Sequence, residues 1–177
     1  MDEGRGTDGY RRTVGRGGAV IRADVVDVYV FRRGEQGAEF LQVRRARAPL
    51  EGTWQPVMGH VEEGETSVMA VRRELREEVG LDVGGAACAG LWALEQVRPF
   101  YVHQIDAVVL APRFACEVAA GWEASLNGEH SAARWVEERE VGGMFVWPGQ
   151  REALREIGES FLTEGAPARA LLAVARA

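Results

Sequence analysis

Six glutamates stand between Gly59 and Leu81, in the stretch GHVEEGETSVMAVRRELREEVGL, and three of them, Glu74, Glu77 and Glu78, are related by steps of three and four. At about 100° per residue such steps place side chains on one face of a helix, so the spacing gathers three carboxylates into one patch. Like charges this close weaken a helix by roughly 0.2–0.5 kcal/mol per pair. A divalent cation removes that penalty. Ligands that are all oxygen favour hard ions, so the chemistry to expect is that of Mg²⁺ or Mn²⁺ rather than zinc.

The elements around the patch follow from local pattern. Thr66 or Ser67 can cap a helix after Gly64-Glu65, Gly80 can end it, and Val68, Val71, Leu75 and Val79 recur as its buried stripe. Upstream, VVDVYVFRR (25–33) and EFLQVRRA (39–46) alternate around a glycine-bearing turn and read as a hairpin, with a short strand from Trp54 to Met58. Residues 89–111 read as two strands interrupted near Arg98-Pro99, because proline cannot donate to a central ladder. ARWVEE (133–138) is a further strand, and residues 148–162 form a helix with Pro148 in its first turn. The first 18 residues lack periodicity and read as a flexible segment, the domain proper spans 19–162, and the tail 163–177 is a short helix or a frayed end.

Composition narrows the function. A chain of 177 residues that is 46% hydrophobic can bury one core, and there is no apolar run long enough for a membrane span or a signal peptide, so a cytoplasmic protein is expected. Its 21 basic residues are all arginine and its net charge is −6, which argues against nucleic-acid or anionic-membrane partners. Cys88 and Cys116 lack CxxC spacing and read as reduced, buried thiols outside any metal site.

The glutamate stretch resembles the Nudix box, G-x5-E-x7-R-E-U-x-E-E-x-G-U with U aliphatic, and matches it at every specified position: Gly59, Glu65, Arg73, Glu74, Leu75, Glu77, Glu78, Gly80 and Leu81. From composition, such a match arises by accident on the order of 10⁻⁶ times per chain. The resemblance implies an α/β fold, an α/β/α sandwich around a mixed sheet. It also implies Mg²⁺- or Mn²⁺-dependent hydrolysis of a pyrophosphate linkage in a small nucleotide-like substrate. By position, Glu77 and Glu78 become the central metal ligands and Glu74 a further ligand or the base that activates water. The carbonyl near Met58-Gly59 completes the site, and Glu65 pairs with Arg73 as support.

The box does not name the substrate. GEHSAARWV (128–136), VWPGQREAL (146–154) and GTWQPVMG (52–59) resemble the dihydroneopterin triphosphate pyrophosphatase branch, with asymmetric dinucleoside tetraphosphate hydrolases sharing parts of them. Other (d)NTPs, ADP-ribose and nucleotide sugars stay open as substrates. A non-catalytic ligand-sensing module is the reading from another class, and a homo-oligomer is compatible with each. Glu129 is then a third-site ligand or base and His130 a residue that orders the loop. Arg44, Arg45 and Arg47 are candidates for phosphate, although strand alternation turns one of the first two away. Trp54, Phe100 and Tyr101 are candidates to stack on a base or pterin.

Overall fold

Alternation of β-branched and aromatic residues from Val25 onward builds the strand against which the rest is laid. It is β2 (Val25–Gly34), preceded by a short β1 (Val20–Arg22) and followed through Glu35-Gln36 by β3 (Gly37–Arg45), so the expected hairpin forms with a tighter turn. The computed structural model describes residues 18–48, 50–163 and 165–174. Apart from Gly18, the segment expected to be flexible lies outside them, as do residues 175–177.

Pro56 has no N–H to give a ladder and divides the expected 54–58 strand. Its halves are β4 (Trp54–Gln55), which pairs with β3, and β5 (Val57–His60), which pairs with β2. Then comes α1 (Ser67–Val79), capped as the sequence indicates. The Thr66 side chain accepts from the Met69 N–H, and Gly80 closes the helix at φ 72°, a left-handed conformation glycine adopts without a Cβ penalty. Its Ala70, Val71, Leu75 and Val79 are fully buried.

The segment 89–111 is more divided than two strands. It contains β6 (Cys88–Ala93), β7 (Phe100–Val102), a 3-10 turn (His103–Ile105) and β8 (Ala107–Val109). The strand β9 (Arg113–Val118) follows, and all of its residues are buried, so it carries no alternation to read. Next is β10 (His130–Glu137). After it, α2 (Glu138–Met144) contains Gly142-Gly143, which hides it from propensity reasoning. The last expected helix forms as α3 (Pro148–Ile157) running into a π turn (Gly158–Leu162).

The main sheet has the order β10-β3-β2-β9-β6, with β4 and β5 attached to β3 and β2, and a smaller sheet has the order β1-β8-β7. Because β2 pairs in parallel with β9 and antiparallel with its other partners, the sheet is mixed. Period-2 alternation along β2 sends Val26, Val28 and Val30 to the α1 face, and Tyr29 and Phe31 to the face covered by α2 and α3. This is the α/β/α layering. Among the described residues no helix is long and apolar enough to cross a membrane.

The tail docks. In it α4 (Ala168–Leu171) leads to an isolated bridge between Ala173 and Trp92, with Val174 N–H bonded to the Leu91 carbonyl. Arg169 lies 4.4 Å over the Trp92 ring and reaches Glu117 at 2.6 Å, a buried carboxylate that Arg33 also holds at 2.9 Å. Arg169→Ala should therefore lower stability by about 1–2 kcal/mol, below the cost of stripping a buried charge completely because Arg33 remains. Urea unfolding with an unchanged m-value is the measurement.

Candidate active site

The acidic patch forms where β5 runs into the loop before α1. Gly59 is required there, because a Cβ on it would overlap the Glu74 carboxylate. Arg73 is the one cation among the specified positions of the box, and it ties the loop to the helix. Its Nε and Nη2 donate to Glu65 at 2.9 and 3.0 Å, Nη2 also to the His60 carbonyl at 2.7 Å, and Nη1 to Glu74 at 2.7 Å and Glu77 at 3.4 Å. The bonds from Arg73 hold the Glu65 carboxyl below its usual range.

Glu78 lies deeper. Its Oε2 is 3.0 Å from Nε2 of His130, both side chains are buried, and the Met58 N–H donates to the same carboxylate. Burial raises the Glu78 pKa, the charge of Glu129 adds to the rise, and His130 and Met58 oppose it. His130, expected from its position to order the loop as a hydrogen bonder, has its imidazole directly on a box glutamate. Glu74 is pushed up to about 7, first by burial and then by the charges of Glu78 and Glu77, with Arg73 opposing.

Two buried carboxylates thus stand in a field that disfavours their charge. Their donor chemistry, oxygen only, fits a hard divalent ion, with Glu77 available at the rim, its side chain 56% exposed. As the side chains are placed, Glu74 and Glu77 turn onto Arg73. Among the described residues no three His, Cys, Asp or Glu side chains converge on one point to hold a metal.

The other expected residues divide between faces. Arg45 pairs in register with His130 and so shares the Glu78 side of the sheet, and the Nε of Arg45 is buried without a hydrogen-bond partner. Arg44 pairs with Trp54 and Ala132 on the opposite side and donates to the Gly52 carbonyl. Trp54 carries the Arg134 guanidinium 4.0 Å above its ring. Glu129 is exposed at the start of β10, its N–H bonded to Asn127. Tyr101 and Phe100 lie exposed in the smaller sheet, where the Tyr101 hydroxyl donates to Asp106. Among the described residues, neither makes a hydrogen bond or ring contact with the box glutamates. Arg47 is exposed in the loop after β3.

The NUDIX domain model matches residues 22–159 of this chain. An octanoyltransferase of Myxococcus xanthus is 30% identical over 132 residues, which cover 73% of this chain and 35% of that protein. The chain thus matches about a third of the length of this curated relative. Among solved structures, the Escherichia coli dihydroneopterin triphosphate pyrophosphohydrolase is similar with TM-score 0.64 and 22% identity, covering 78% of this chain and 93% of that one. A Caenorhabditis elegans Ap4A hydrolase in a binary complex is similar with TM-score 0.64 and 18% identity, covering 77% and 96%. At these identities the two structures establish a shared fold.

The raised Glu74 pKa has a definite sign. The native state keeps a proton that the unfolded chain releases above its ordinary value of 4.5, so the associated stability is complete below that pH and is lost as pH rises through about 7. In metal-free buffer the melting temperature of the wild type should therefore fall relative to Glu74→Gln between about pH 5 and pH 8, by about 2–4 °C for each kcal/mol. Added Mg²⁺ should narrow the difference. Parallel melting curves at every pH would contradict the assignment.

Proposed function

This chain belongs to the Nudix domain family, and from that premise we propose that it is a pyrophosphohydrolase that cleaves a small nucleotide-like substrate with a bound Mg²⁺ or Mn²⁺. The observation that carries this reading is the pair of buried carboxylates, Glu74 and Glu78, whose charge the surrounding protein does not fully compensate. A structural helix has no use for that arrangement. Glu77 and Glu78 are the principal ligands in this reading, with Glu74 and the Met58-Gly59 backbone beside them. When bound, the ion supplies positive charge to the phosphates and lowers the pKa of the attacking water.

The protein's own residues do the positioning. Water attacks one phosphorus, the bond from that phosphorus to the bridging oxygen breaks, and the departing phosphate carries that oxygen away. The water's proton passes to a carboxylate, and Glu74, titrating near neutrality, or Glu129 at the rim can accept it. Arg73 fixes the Glu74 carboxylate and the loop through Glu65, so the acceptor is held rather than free to swing. His130 holds Glu78 from behind. Arg45, on the same side of the sheet, is the arginine placed to meet a phosphate, and Trp54 and Arg134 form a stacked polar ledge on the other.

The GEHSAARWV and GTWQPVMG segments support dihydroneopterin triphosphate as the substrate, with dinucleoside tetraphosphates as the runner-up. Nucleotides, dihydroneopterin triphosphate, dinucleoside polyphosphates, ADP-ribose and nucleotide sugars should be assayed with Mg²⁺ and the products identified by mass. Dihydroneopterin triphosphate should give the monophosphate and pyrophosphate with kcat/KM at least about tenfold above any ordinary dNTP, which is about 1.4 kcal/mol of differential transition-state binding. Glu77→Gln and Glu78→Gln should each lower kcat at least about 100-fold without unfolding the chain, since each removes charge stabilisation rather than packing. Activity that survives exhaustive chelation, or wild-type turnover in either variant, would exclude the mechanism.

A further inference from the structure

Most of the unpartnered buried polar atoms lie away from the acidic loop, on the opposite face of the main sheet. Eight buried side-chain nitrogen and oxygen atoms among the described residues lack a hydrogen-bond partner, and five of them belong to Asp27, Tyr29, Gln42 and Arg113. Each such orphan costs about 1–3 kcal/mol, so five on one face call for an explanation. Asp27 in β2 is in register with Arg113 in β9 and with Met58 in β5, and cross-strand partners share a face. Asp27 and Arg113 are 5% and 4% exposed. They approach only to 3.8 Å, an ion pair with no hydrogen bond closed between them.

The unsatisfied groups have a definite pattern. Asp27 Oδ1 is a free acceptor, Arg113 Nε and Nη1 are free donors, and the Tyr29 hydroxyl lies beside Asp27, close enough to draw its pKa down but outside good hydrogen-bond geometry. Gln42 accepts at Oε1 from Arg134 Nε and Nη2 and is left with an unpaired amide nitrogen. Burial pushes Asp27 up to about 6 while Arg113 opposes the rise, so near pH 7 the group is still mainly a carboxylate. The roof is the turn from α2 into α3. Phe145 stands edge-on to Tyr29 at 6.0 Å, a Cβ on Gly149 would crowd Arg113, and Trp147 is half exposed above.

We propose that Asp27 and Arg113, with Tyr29 and Gln42 beside them, recognise the 2-amino-4-oxo edge shared by guanine and pterin rings. The carboxylate accepts in parallel from the ring N–H and the exocyclic amine, and the guanidinium donates to the neighbouring carbonyl. Adenine sets a ring acceptor against the same carboxylate and is rejected, because a buried acceptor facing an acceptor leaves both unpaired. Seating the ring requires the Phe145–Gly149 turn to lift from Tyr29. The proposal rests on the Nudix reading, which supplies the phosphates on the other side of the same strand: the Met58 N–H meets Glu78, while its side chain shares the face of Asp27.

The test is calorimetric titration of the full chain in metal-free buffer with GMP, IMP, AMP and neopterin, so that no turnover is needed. GMP or neopterin should bind at least about tenfold more tightly than AMP, and IMP, which lacks the exocyclic amine, should lose most of that advantage over AMP. Asp27→Asn, checked for an intact melting transition, should bring the GMP to AMP ratio close to one. The IMP comparison needs no variant and so stands even if that substitution unfolds the chain. Binding of GMP alone or of neopterin alone supports the shared edge and names its source. Equal affinities for GMP, IMP and AMP, or no binding of GMP and neopterin, would overturn the proposal and leave the cluster as a buried structural ion pair. Failure of the Nudix reading is distinct: the selective binding would persist while no pyrophosphate substrate is cleaved with Mg²⁺.

Discussion

The acidic site depends on one guanidinium. Arg73 contacts Glu65, Glu74, Glu77 and the His60 carbonyl, so a single planar group ties the loop to the helix and sets where three of the box carboxylates sit. A lysine could not do this, since its ammonium lacks the fixed fork that satisfies Glu65 through two nitrogens at once. The cluster around it remains short of positive charge. Arg73 lies against Glu74 and the Glu77 rim, whereas Glu78 is left to His130 and a backbone N–H.

That division explains why the sheet must be mixed. Parallel β9 and antiparallel β5 flank β2 at the same end, and β10 brings His130 to Glu78 from beyond β3. The loop before β10 is pinned to the end of α1 by backbone bonds from Ser125 to Val79 and from Asn127 to Glu78. Packing on both faces then limits movement: α1 seals one face through Leu75 and Val79, and α3 with its π turn seals the other through Ile157 and Phe161.

Much of this was legible in the sequence wherever local chemistry and global position agree. Thr66, the Val68 to Val79 stripe and Gly80 define α1 without help from the rest of the chain, and the hairpin from Val25 follows from alternation. Legibility fails where tertiary context overrides pattern. Arg113 and Glu117 make β9 look like a charged connector, yet both are buried in an interior strand and their charges are met by Asp27, Arg33 and Arg169 from distant segments. Gly142-Gly143 conceals α2, and the contact of His130 with Glu78 joins residues 52 positions apart, a pairing no local spacing encodes. Asp27 did leave a trace, a lone carboxylate in the apolar run VVDVYVF, but only its pairing with Arg113 gives that trace meaning.

The strand β5 is where the two halves of the molecule meet. Gly59 faces α1, and its missing side chain lets the Glu74 carboxylate lie against the backbone; Met58, one residue earlier, turns its side chain to the opposite face, where Asp27 and Arg113 are buried. Period-2 alternation thus separates the acidic patch at Glu74 from the buried Asp27–Arg113 pair by the thickness of one sheet. A one-residue slip in the pairing of β5 with β2 would bring Met58 to Glu74 and turn Gly59 toward Asp27, disrupting both sites together. Pro56 stands against such a slip, because without an N–H it ends β4 and fixes where β5 begins.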